Sequence, residues 1–173
     1  QSPRFSKVSL SRSKDIQQVV IMRPYGGESF EINLEDKPQL EDISLQETRH
    51  LLFKVHNAPK LSAKKSTLIV LNAETVDLAG IPTEALIPIL SRFSGAKVAN
   101  LSVAGKDIES LNLTKFTSLK KLTLKATGIN EDALVSIVNA LPSTNGVLIL
   151  EASRATAKVK AALQSKGWTT AEN

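Results

Sequence analysis

The sequence predicts an α/β solenoid: a curved parallel sheet with short helices on its convex side and a C-terminal cap made of a helix and a tryptophan. Three observations carry this prediction. Aliphatic residues recur at an offset of 21 positions, they alternate in short stretches typical of strands, and two later segments combine a strand, a Gly-Ile turn, a helix and a further strand. A fixed offset of this size indicates stacked coils.

The repeat is clearest between residues 98 and 129, where four aliphatic positions recur at one offset. Val98, Leu101, Val103 and Ile108 are followed 21 positions later by Leu119, Leu122, Leu124 and Ile129. The segment 111–113, ahead of Leu119, is similar to 53–55 ahead of Leu61 and to 32–34 ahead of Leu40. After Leu40, the residues Ile43, Leu45 and Thr48 match Leu122, Leu124 and Thr127. These matches define the unit L-x-x-L-x-L-x-x-T.

The spacing of this unit has a structural meaning. Its leucines at +3 and +5 point to the same side of a strand, and the chain must then turn and return within one short coil. A period of 21 lies within the range of leucine-rich repeats, so we expect an irregular solenoid of that class. Between Leu61 and Val98 the register slips, and the sequence leaves open whether 68–71 or 75–78 continues the ladder.

Two helices are predicted on the outer side of the sheet. The later one, 131–141, has Asn130 as its N-cap and Pro142 as its stop. The earlier one, 83–93, contains Pro88, which should kink or shorten it.

The C-terminal segment predicts the cap of the array. We expect a third helix over 154–164, capped by Ser153 and ended by Gly167. Trp168 follows, and we expect it to be buried because an open solenoid needs a capping element.

Composition and charge predict one domain behind a short tether. Residues 1–15 are basic and rich in serine, whereas 16–173 read as a single leucine-rich-repeat domain. The chain has 22 basic and 17 acidic residues, and the net charge of +5 is too small to argue for nucleic-acid binding. Without cysteine there are no disulfides, thiolate metal sites or cysteine nucleophiles.

No constellation of catalytic residues stands out, so we expect neither an enzyme nor a bound metal or cofactor. His50 and His56 lack the spacing of metal ligands and are interpreted as structural. Gly26-Gly27 is interpreted as a hairpin turn between strands over 19–22 and 30–34, because no helix begins behind it.

Three segments resemble the leucine-rich-repeat surface lipoproteins of Bacteroidetes-type bacteria. The segment 111–119 is similar to the L-D-L-S-x-x-T-x-L units of that family. The stretch from Asn130 through 147–150 is similar to the helix and strand that end its arrays, and 165–168 is similar to its closing A-x-x-K-G-W segment. The resemblance implies an exported protein at the cell surface or outer membrane, held by a lipidated N-terminal cysteine that lies outside this sequence.

The period of two along a strand predicts which side chains could bind a ligand. If the leucines of 121–125 point inward, the residues between them face solvent on the concave side. The candidate ligand-binding residues are Asn100, Ser102, Lys121, Thr123 and Lys125. The same logic exposes Ala104 beside them, and Asp42, Ser44 and Gln46 farther toward the N-terminus.

Two functional hypotheses follow from this face. The first is a non-enzymatic binding module at the cell surface that recognises an extracellular protein or a glycan, with membrane contact only through a lipid anchor. The second is a structural spacer that positions another domain, in which case the polar strand residues are merely solvated.

Overall fold

The structure is a computed structural model that describes residues 7–10, 12–22, 30–105, 108–125 and 128–172. It confirms an α/β fold with a parallel sheet. The strands are β1 (Lys7–Ser9), β2 (Gln18–Met22), β3 (Phe30–Glu35), β4 (Asp42–His56), β5 (Leu68–Ala79), β6 (Asn100–Ala104), β7 (Lys121–Lys125), β8 (Val147–Leu150) and β9 (Thr169–Glu172). The helices are α1 (Thr83–Leu90), α2 (Glu131–Asn139) and α3 (Ala157–Ser165).

All described strand pairs are parallel and belong to one open sheet. The order is β1-β3-β4-β5-β6-β7-β8-β9, and β2 pairs with β4. The predicted 21-residue matches are confirmed at two places, since Leu101 lies opposite Leu122 and Ile32 lies opposite Phe53. The sheet is not curled, so the predicted curvature, with a concave and a convex side, is not seen.

The sheet begins inside the segment predicted to be a tether. Residues 7–9 form β1, which pairs with residues 31–33 of β3. Residues 1–6 of the predicted tether lie outside the described residues.

β2 and β3 lie end to end along the same edge of β4. Residues 18–22 pair with 42–46, whereas 30–35 pair with 50–56, and both pairings are parallel. The predicted hairpin between them is therefore wrong, because two strands joined by a hairpin would run antiparallel to each other. Gly26-Gly27 lies outside the described residues.

The two long strands, β4 and β5, explain why the register of the repeat slips in the sequence between Leu61 and Val98. Along β4 the buried side chains fall at Ile43 and Leu45, then at His50, then at Phe53, so the inward parity changes twice. β5 behaves in the same way, and it contains both of the segments, 68–71 and 75–78, between which the sequence did not decide.

The predicted repeat unit therefore combined residues from two different rows of paired strand positions. Ile43 lies opposite Val19, at the start of β4. Phe53 lies opposite Val76, which lies opposite Leu101 in turn. The match of Ile43 with Leu122 is therefore wrong in register, the segment 111–113 lies outside the strands, and Thr127 lies outside the described residues.

One hydrophobic core lies on a single face of the sheet. The inward residues of the strands pack with the buried faces of the helices, and Ile43, Leu101 and Leu122 all belong to this core. The other face of the sheet carries polar and partly exposed side chains, as the alternation along β6 and β7 predicts.

Two predicted helices are found slightly shorter than expected. α2 begins after Asn130, whose side-chain oxygen accepts a hydrogen bond from the Ala133 amide at 2.8 Å. α1 ends at Leu90, with Pro88 in its last turn. Lys115 satisfies the carbonyls beyond that end, because its Nζ donates to the oxygens of Ser91 and Phe93 at 2.7 and 2.8 Å.

The third helix starts later than predicted. Its N-cap is Thr156, whose hydroxyl accepts from the Val159 amide, whereas Ser153 lies in a preceding 3-10 turn. The burial of Trp168 is confirmed, since it is 2% exposed and its Nε1 donates to the Pro142 carbonyl at 2.6 Å. The predicted cap is not the end of the sheet, however, because β9 follows and pairs with β8.

Candidate binding face

The five residues predicted to bind a ligand lie together on the exposed face of the sheet. Register places Asn100 opposite Lys121 and Ser102 opposite Thr123, and Lys125 follows at the end of β7. Neighbouring strands are about 4.8 Å apart, so these side chains form short rows across the sheet. The two lysines are exposed and the other three are partly exposed.

These residues line a shallow depression of about 530 Å³. Its other members are Leu101 of β6, Thr75 and Asp77 of β5 and Ile149 of β8. The sequence missed Thr75 and Asp77 because it left the register of 61–98 undecided. The alternation Thr75-Val76-Asp77-Leu78 was the signal that could have found them.

Hydrogen bonds and charges divide the depression into two ends. At one end Asn100 Nδ2 donates to the Thr75 hydroxyl at 3.2 Å. Asp77 lies there as well, and its Oδ1 is 2.9 Å from His56 Nε2. Lys121 and Lys125 lie two strands away, so the depression is acidic on β5 and basic on β7.

Of the other residues predicted to face solvent, Ala104 lies opposite Lys125, whereas the remaining three lie elsewhere. Asp42, Ser44 and Gln46 occupy the first part of β4, beside β2, and do not line this depression. The Ser44 hydroxyl donates to Asp42 at 2.9 Å, and Gln18 also donates to this carboxylate.

The two histidines occupy different surroundings. His50 is 3% exposed and packs edge-on against Phe53, with ring centroids 5.9 Å apart. Burial lowers the pKa of His50 to about 4. Within the described ranges, no three His, Asp or Glu side chains are grouped so that they could hold a metal ion.

No family model, curated protein or solved structure matches this chain. None of the helices in the described part of the chain is long and apolar enough to cross a membrane.

Proposed function

We propose that this chain is a non-enzymatic binding module that holds its ligand on the exposed face of the sheet. The observation that carries the proposal is the depression lined by Asn100, Ser102, Lys121, Thr123 and Lys125. It brings hydroxyl, amide and ammonium groups from β6 and β7 to one place, and these groups form hydrogen bonds and ion pairs with polar ligands.

We further propose that the architecture is an irregular leucine-rich-repeat solenoid. Paired residues of neighbouring strands are 20 to 26 positions apart, as in Phe30 with His50, Leu101 with Leu122 and Leu122 with Leu148. The turn after each of three strands also repeats, because Asp36, Asn57 and Gly80 all have φ between 52° and 61°. The Asp36 and Asn57 amides donate to the carbonyls of the next coil at 3.1 and 3.0 Å, which stacks these turns into a column.

The ligand class follows from the charge on β7. Lys121 and Lys125 are both exposed and would attract an acidic extracellular protein or an anionic glycan. Exposed ion pairs contribute only about 0–1 kcal/mol each, so we expect weak and salt-sensitive binding. The resemblance to surface lipoproteins supports a place at the cell surface, where such ligands occur.

The test is a binding screen with a matched charge reversal. Extracellular proteins and anionic glycans are screened against the native chain, and each hit is measured again with Lys121→Glu/Lys125→Glu. The control is Lys64→Glu/Lys160→Glu, which changes the net charge equally at exposed positions outside the depression. The proposal expects loss of binding only in the first variant. Equal binding by both variants at low salt would place the site elsewhere.

A spacer remains the second candidate, and one observation favours it. Lys54 pairs with Glu35 beside the depression, and His56 lies against Asp77 at its acidic end, so several charged groups of this face already have a partner within the chain. A screen without any hit would favour the spacer over the binding module.

A further inference from the structure

The outer edge of β2 has the features of a strand that pairs with another chain. Residues 18–22 pair with β4 on one side, and within the described ranges no strand lies along the other side. Natural proteins protect such edges with charged residues, proline or bulges. β2 reads Gln-Val-Val-Ile-Met and contains no charge and no proline.

The three central residues of β2, Val19, Val20 and Ile21, place apolar side chains on both faces of the strand. Val19 is buried against the core at 6% exposure, and Ile21 on the same face is only partly buried. Val20 points to the opposite face and is 50% exposed, the largest exposure recorded for a large hydrophobic residue in the described part of the chain. The far edge of the sheet differs, because β9 has the sequence Thr-Thr-Ala-Glu and only four residues.

We propose that β2 pairs antiparallel with β2 of a second copy of this chain, across a two-fold axis at Val20. The sequence of the strand favours this partner because its apolar pattern is nearly the same in both directions. In this register Val20 lies opposite Val20 of the second copy, and Val19 lies opposite Ile21 of the second copy. The core face of the sheet then continues across the junction.

The geometry also sets the kind of assembly and its strength. A two-fold contact uses the same surface on both copies and closes as a dimer. Five residues span about 17 Å, and the area they bury is well below the roughly 1,200–2,000 Å² of a stable interface. We therefore expect a weak dimer, with a dissociation constant on the order of 0.1–1 mM. Because β2 is uncharged, added salt should not weaken its association, unlike binding by the lysines of β7.

Sedimentation equilibrium tests the association. Between 10 µM and 1 mM, in about 0.15 M salt to screen the net charge, the average mass should rise from 18.7 kDa toward twice that value. Val20→Lys should weaken the association at least tenfold, whereas Ala171→Lys on the exposed edge of β9 should leave it unchanged. Far-UV circular dichroism checks that both variants fold. A constant mass, or a loss of association only in Ala171→Lys, would overturn the proposal.

Disulfide trapping tests the register directly, because the native chain has no cysteine. Opposed residues in antiparallel strands have Cα atoms about 4.5–5.5 Å apart, within disulfide reach. Val20→Cys should therefore form a covalent dimer on mild oxidation. Gln18→Cys should not, since its two copies would lie more than about 10 Å apart. Equal cross-linking of the two variants would contradict the two-fold register.

Discussion

The connections between strands differ between residues 18–79, the N-terminal half, and residues 80–172, the C-terminal half. In the N-terminal half, β3, β4 and β5 are joined by turns, and β4 and β5 are 15 and 12 residues long. In the C-terminal half the strands have four or five residues. α1 precedes β6, a 3-10 turn over 108–110 connects β6 to β7, and α2 and α3 precede β8 and β9. The N-terminal half thus uses longer strands where the C-terminal half uses a short strand and a helix.

The two routes build the same core from different patterns. In the N-terminal half the inward side chains come from alternation along a strand, whereas α2 contributes Leu134, Ile137 and Val138 from one face of a helix. The halves differ in what they bury. The two buried ionisable side chains in the described part of the chain, Lys37 and His50, are both in the N-terminal half. We therefore expect a substitution in the core of the C-terminal half to lower the free energy of unfolding. Replacing a buried charge in the N-terminal half should raise it.

The largest effect is expected in the C-terminal half at Trp168. Its ring is buried, and its indole donates to the Pro142 carbonyl at 2.6 Å. Trp168→Ala should lower the free energy of unfolding by about 3–5 kcal/mol, because it leaves a cavity and an unpaired carbonyl. The measurement is urea denaturation followed by far-UV circular dichroism.

Gly146 provides an independent test of the same packing. A Cβ at this position would lie 2.6 Å from Cζ2 of Trp168 and 2.7 Å from the Lys120 carbonyl oxygen, so Gly146→Ala should displace the ring and the neighbouring backbone and destabilise the chain. Gly128→Ala is not a suitable control, because a side chain at a residue with a φ of 108° would itself strain the backbone. A loss below about 1 kcal/mol for Trp168→Ala would show that the ring is not part of the core.

A gain in stability is expected in the N-terminal half at Lys37. This side chain is 0% exposed, and its Nζ has no hydrogen-bond partner among the described residues. An ammonium buried in this way costs free energy, and Lys37→Met keeps the length of the side chain without the charge. We expect the free energy of unfolding to rise by about 1–3 kcal/mol.

The control for Lys37→Met is Lys64→Met in the turn between β4 and β5. Lys64 is exposed, so the same change there should stay within about 0.5 kcal/mol. A loss of stability in Lys37→Met would mean that the buried ammonium has a stabilising partner, and the contrast between the halves would then fail.

The C-terminal half was also the part that the sequence predicted better. Asn130 and Pro142 mark the ends of α2 locally, and the offset of 21 connects Leu101 to Leu122 without interruption. β4 could not be read in this way, because its inward parity changes around His50 and one strand contributes to two ladders. The depression on the exposed face shows the same division, because its polar residues on β6 and β7 were predicted to lie together, whereas Asp77 on β5 was not.

The last effect depends on pH and concerns His50, at the place where the neighbour of β4 changes from β2 to β3. Because burial lowers the pKa of His50 to about 4, the folded chain binds a proton there less readily than the unfolded chain, whose histidine has a pKa of about 6.5. The free energy of unfolding should therefore fall as the pH falls from 7 to 5, by about 2 kcal/mol from this group. Denaturation of the native chain and of His50→Gln at both pH values measures it. The carboxylates of Glu41 and Asp132 contribute little between pH 7 and 5, because their ordinary pKa values of 4.5 and 3.8 already lie below this window and their lysine partners lower the folded-state pKa further. His50→Gln should remove most of this change in the free energy of unfolding with pH, whereas His56→Gln should keep the part that His50 contributes. An equal change in the native chain and in His50→Gln would show that the His50 imidazole is not held neutral in the core.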